Sequence, residues 1–74
     1  MNGIELLESG QIGNIITQLC HNPVGERYYV EQWDTQQANK QPSCTEFSYQ
    51  RVGGRTKREA LALANEEYRR LTSE

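Results

Sequence analysis

The sequence predicts an α+β fold: a three-stranded antiparallel sheet packed against one C-terminal amphipathic helix (βββα), with a short N-terminal helix or arm ahead of it. Three observations predict it. Residues 56–71 repeat apolar side chains at helical spacing behind a capping motif. Two earlier stretches, 27–34 and 45–52, alternate like strands, and a third, 12–21, is rich in β-branched residues. At 74 residues and 35% apolar, the chain has room for one small core.

Residues 1–10 read as an N-terminal arm or one helical turn (Ile4, Leu6, Leu7) stopped by Gly10, and residues 11–74 as the single βββα domain. In IGNIITQLCH, Ile12, Ile15, Ile16 and Leu19 also follow helical spacing, but Gly13 and the run Ile15-Ile16-Thr17 favour a strand. Asn22-Pro23-Val24-Gly25 is a turn, with Pro fixing one dihedral and Gly supplying permissive ones. RYYVEQWD (27–34) is the clearest strand, and it carries aromatics on both faces: Tyr28 and Val30 on one, Tyr29 and Trp33 on the other. A half-buried strand needs only one apolar face, so the second is either covered or used. TQQANKQPS (35–43) is a polar loop. In TEFSYQRV (45–52), Phe47, Tyr49 and Arg51 share one face, and Glu46, Ser48 and Gln50 the other. Gly53-Gly54 turns into the helix. Thr56 is its N-cap, Glu59 completes a capping box, and Ala60, Leu61, Leu63, Ala64, Tyr68 and Leu71 form the apolar stripe.

Charge is unevenly spread. The net value is −2, but residues 1–34 carry −4 and residues 35–74 carry +2. Arg51, Arg55, Lys57 and Arg58 fall within eight residues, and such a patch acts locally whatever the total. Cations at a helix N-terminus oppose the macrodipole, which argues for anion or phosphate contact there rather than for stability.

Cys20, Cys44 and His21 do not make the close ligand pairs of a zinc site, so no metal or cofactor is expected. The outer strands of a three-stranded meander lie about 10 Å apart, beyond the ~7 Å a disulfide spans, so both thiols are expected free. No nucleophile–base set assembles around one His, and an enzyme is not expected. There is no apolar run of about 20 residues and no secretory leader pattern, so the expectation is a cytoplasmic protein without a membrane segment.

The strand order, F-S-x(4)-G-G (Phe47, Ser48, Gly53, Gly54) and a basic, alanine-rich helix (Ala60, Leu63, Ala64) resemble the APETALA-type (ethylene-response-factor) DNA-binding domain. The arm-binding domains of phage-type integrases share that architecture. The resemblance spans residues 13–72 and implies that the sheet face away from the helix enters the DNA major groove. Carried over, that face holds Arg27, Tyr29, Glu31 and Trp33 on the second strand and Ser48 and Gln50 on the third, beside the basic cluster Arg51, Arg55, Lys57 and Arg58. The family's strands are rich in Arg and Lys, whereas the first strand here has none and the second has one Arg, near Glu31. The basic turn into a helix is also similar to double-stranded-RNA-binding domains, which would require residues 4–20 to be helical.

Three functions follow as expectations. The first is a small DNA-binding or accessory protein of phage or mobile-element origin, contacting duplex DNA through the sheet face and basic turn. The second is a module or inhibitor that binds a protein partner through an acidic surface and aromatic face. The third is a structural domain that buries its second sheet face in a homodimer.

Overall fold

The computed structural model describes residues 3–37 and 39–73. Met1 and Asn2 of the expected arm, Ala38 of the polar loop, and Glu74 lie outside the described residues. The elements run β1 (Glu5–Ile12), β2 (Ile15–Asn22), β3 (Arg27–Asp34), β4 (Ser43–Ser48) and α1 (Lys57–Thr72). The strands form one antiparallel sheet in the order β1-β2-β3-β4, and α1 crosses one face.

The sheet therefore has four strands, not three, and the N-terminal stretch is a strand rather than an arm or a helical turn. Gly13-Asn14 is the reason. It forms a two-residue hairpin loop between the paired Ile12 and Ile15, with a positive φ at Gly13 alone. A glycine at the first loop position is the signature of a type II′ hairpin turn. A β-bulge between Leu6 and Glu8 accommodates the Leu6-Leu7 doublet, which no strict alternation could place on one face.

The turn after β2 also differs in detail. The Gly25 amide donates to Asn22 Oδ1 at 3.1 Å, but the left-handed residue is Glu26, φ 53°. A Cβ at Gly25 would lie 2.9 Å from Asn22 Nδ2 and 3.2 Å from the Arg27 guanidinium, both ends of flexible side chains that can move aside. The Tyr49 amide donates to the Glu26 carbonyl, which ties this turn to the chain leaving β4.

Leu19, Tyr28, Val30, Ala60 and Ala64 form the buried centre, with Phe47, Tyr49, Leu61, Tyr68 and Leu71 packed around it. Ala60 and Ala64 let the helix backbone approach the sheet closely. Leu63 is 38% exposed, because at about 100° per residue it falls off the stripe that Ala60, Ala64 and Leu71 define. The capping box is present: the Glu59 amide donates to Thr56 Oγ1, and the Thr56 amide to Glu59 Oε1. Buried Thr17 is satisfied by the Gln32 amide at 3.1 Å. Among the described residues no helix is long and apolar enough to cross a membrane.

His21, which reads in the sequence as an ordinary strand-end residue, is 4% exposed. Its Nδ1 lies 2.7 Å from Glu5 Oε1 and its Nε2 lies 2.7 Å from the Tyr49 hydroxyl. A carboxylate only accepts, so Nδ1–H donates to Glu5, which leaves Nε2 for the Tyr49 hydroxyl. The ring stacks on Tyr28 at 4.3 Å. One side chain thus fastens β1, β2, β3 and the exit of β4 together.

Candidate nucleic-acid interface

Strand alternation decides which side chains face away from α1. Leu19, Tyr28 and Val30 lie under the helix, so Ile16, Gln18 and Cys20 of β2 and Arg27, Tyr29, Glu31 and Trp33 of β3 lie on the open face. Register extends that face to Leu6 on β1, opposite Cys20, and to Cys44, Glu46 and Ser48 on β4, opposite Glu31, Tyr29 and Arg27.

The residues singled out in the sequence divide into two groups. Arg27 pairs across the sheet with Ser48, the Arg55 guanidinium reaches the Ser48 carbonyl at 3.5 Å, and the Gln50 amide donates to the Arg55 carbonyl at 2.8 Å. Gln50 also lies against Gly54, where a Cβ would come within 2.7 Å of its Oε1. Arg27, Ser48, Gln50, Arg51, Arg55, Lys57 and Arg58 are thereby gathered at one end of the molecule, where β3 starts and α1 begins. Tyr29 stands mid-strand. Trp33 lies about 20 Å along β3 from Arg27, beside Ile16 and the polar loop. Gln50 lies beyond the end of β4 and is not a strand residue.

Electrostatics separates the two groups further. Arg27 makes an ion pair with Glu46 at 3.6 Å, and Glu31 sits between Tyr29 and Trp33, so the open face has one cation against two anions. Arg51, Arg55, Lys57 and Arg58 are exposed, and none makes an ion pair among the described residues. Arg51 and Lys57 border a shallow hollow that Pro23, Glu26, Tyr49, Gln50 and Thr56 help line. Hydrogen bonds from Thr56, with Arg55 nearby, hold the Glu59 carboxyl below its ordinary value, so this acid stays ionised within the cap.

The middle of the face is closed chemically. Tyr29 stands opposite Cys20 across the sheet, and burial together with Cys20, Glu31 and Cys44 pushes the phenol up to about 12. Burial raises the Cys20 thiol, and partial desolvation with Glu31 and Glu46 nearby raises that of the exposed Cys44, which makes both poor nucleophiles at neutral pH. Both are free, on the two strands that flank β3.

The β1 contribution to the open face is absent from the sequence reading. The signal that could have found it is Gly13-Asn14, a two-residue hairpin loop with apolar residues on either side.

No protein-family model, curated protein or solved structure matches the chain.

Proposed function

We propose that the chain is a small cytoplasmic accessory protein, of phage or mobile-element type, that binds duplex DNA with its basic end. The observation that carries this reading is the cluster Arg51, Arg55, Lys57 and Arg58, exposed at a helix start and without an ion-pair partner among the described residues. Lys57 and Arg58, in the first turn of α1, oppose its macrodipole, so their placement is better accounted for by a polyanion than by folding. Arg27, Ser48 and Gln50 border the cluster and extend the contact along the sheet edge. Tyr29 and Trp33 belong to the wider surface that the resemblance implies, at its less basic end.

Four phosphate contacts give a salt slope of about −3.6, a loss of about 150-fold in affinity between 50 and 200 mM salt. Fluorescence anisotropy on a labelled duplex tests this. Arg55→Ala and Arg58→Ala should each weaken binding and reduce the salt slope by about 1, whereas Trp33→Ala should leave both nearly unchanged. Absence of binding at low salt would remove the DNA reading. A protein partner is the second reading, favoured by the net charge of −2 and by Glu31 and Glu46 on the open face.

A further inference from the structure

Of the seven exposed large apolar side chains among the described residues, four, Ile4, Leu6, Leu7 and Ile12, lie on β1 or just before it. β1 is an edge strand, paired to β2 on one side only, and every residue in it except Gly10 is exposed. Native edges are normally blunted by brevity, proline, lysine or a bulge. The other edge, β4, has six residues, follows Pro42 and ties Glu46 to Arg27. β1 has eight residues and no Pro, Lys or Arg. Its bulge ends at Glu8, so residues 8–12 pair regularly with β2 and leave a regular outer edge.

Register decides which backbone groups point outward. Ile12 and Ile15 close a two-residue hairpin as a hydrogen-bonded pair, and alternation makes Gly10 with Thr17 and Glu8 with Leu19 the next two. Ser9 and Gln11 therefore turn their N–H and C=O groups away from β2, where no described element meets them. What fits such an edge is another strand, since only a strand repeats donors and acceptors at that spacing. Gly10 lies between the two, with the Tyr68 hydroxyl 2.9 Å from where a Cβ would stand. The last turn of α1, which carries Arg69 and Arg70, borders Gly10 and Ile12 through Leu71 and Thr72.

We infer that the β1 edge pairs antiparallel with the β1 edge of a second copy of this chain, making one continuous eight-stranded sheet. A twofold axis at Gly10 sets Ser9 opposite Gln11 of the second copy and Gln11 opposite its Ser9, closing four backbone hydrogen bonds. Gly10 then faces Gly10 in a non-hydrogen-bonded position, about 4.5 Å apart, where two missing side chains leave room for the two Tyr68 rings. Glu8 falls opposite Ile12 of the second copy, beside the basic last turn of its α1. The two Glu8 residues lie about 13 Å apart along the strands, beyond the ~8 Å over which charge acts at physiological salt. An axis at Ser9 would halve that separation, so charge favours Gly10. Residues 51–58 lie at the other end of α1 and stay free, so self-pairing and DNA binding are separable.

Sedimentation equilibrium over micromolar to millimolar concentration tests it, and the wild type should reach twice the 8.5 kDa chain mass. Ser9→Pro deletes an amide that the single chain does not use, a change that edge strands tolerate, and removes two of the four bonds between copies. This variant should dissociate at least ~30-fold more readily, with unchanged circular dichroism. Glu46→Pro deletes an outward amide at the β4 edge, where Thr45 and Phe47 hold the bonded positions, and should remain dimeric. Amide hydrogen exchange reads the contact in the wild type itself. The Ser9 and Gln11 amides should slow as concentration rises, while that of Gly10 stays protected at every concentration. A wild type that keeps the monomer mass throughout would overturn the inference. So would a dimer that survives Ser9→Pro, a folded Glu46→Pro chain that is monomeric, or Ser9 and Gln11 exchange that ignores concentration.

Discussion

Replacing His21 with Phe removes the side chain that ties β1, β2 and β3 to Tyr49 just beyond β4, while keeping a flat ring stacked on Tyr28. The bond to the Tyr49 hydroxyl is half-sheltered and should contribute about 1 kcal/mol. The bond to Glu5 is charge-assisted, but that carboxylate is 59% exposed, so screening reduces it to about 0.5–1 kcal/mol. The expected loss is about 1.5–2 kcal/mol, a large share of the roughly 4–11 kcal/mol available to a chain of this length. With an unfolding entropy of about 2.1 cal/mol/K per residue, Tm should fall by about 10–13 °C. Thermal melts followed by circular dichroism measure this. A double-mutant cycle with Tyr49→Phe should return a coupling of about 1 kcal/mol, since the two residues share one bond. A His21→Phe protein melting within about 3 °C of wild type, or a coupling near zero, would refute the assignment of His21 as the clamp on β1.

Three further outcomes follow from the helix cap and the open face. Thr56→Ala should cost about 1 kcal/mol, or about 6 °C in Tm, by releasing the hydrogen bond from the Glu59 amide to Thr56 Oγ1. Glu59 adds a pH dependence. Its folded value lies below the ordinary 4.5, so its stabilisation is present above pH 4.5 and lost as pH falls through the lower folded value. Glu59→Gln should flatten that acid limb in pH-dependent melts while keeping an acceptor for the Thr56 amide. Tyr29 has the opposite sign. Its folded value of about 12 exceeds the ordinary 10.0, so its contribution is complete below pH 10 and lost as pH rises through about 12. An ultraviolet titration of wild type against Tyr29→Phe should show one phenol ionising last, and a normal titration would contradict the burial of Tyr29 over Cys20.

Strong local signals carried much of this fold in the sequence. RYYVEQWD becomes β3 at the same residues, because β-branched and aromatic side chains sit between a turn and a polar loop. Thr56 and Glu59 mark the helix start to the residue, since the capping box is a contact within four residues. β1 was not legible. Its alternation is broken by the Leu6-Leu7 bulge, and a bulge declares itself only against a partner strand. Gly13 looked like a strand interior because Ile12 and Ile15 flank it, yet it turns the chain. Glu26, rather than Gly25, takes the left-handed conformation, and its carbonyl accepts from the distant Tyr49 amide. The basic cluster was visible as four charges in eight residues, whereas the pairing of Arg27 with Glu46 required the register of β3 with β4.

The claim that the basic end is the DNA-contacting surface is tested most directly by a nitrogen-15 amide spectrum recorded during titration with a short duplex at low salt. The expected result is that the amides of Arg51, Arg55, Lys57 and Arg58 shift, with smaller changes at Arg27 and Ser48, while Tyr29, Glu31 and Trp33 hold their positions. Shifts centred on Tyr29 and Trp33 would return the interface to the sheet face, and a spectrum unchanged by DNA would contradict the account.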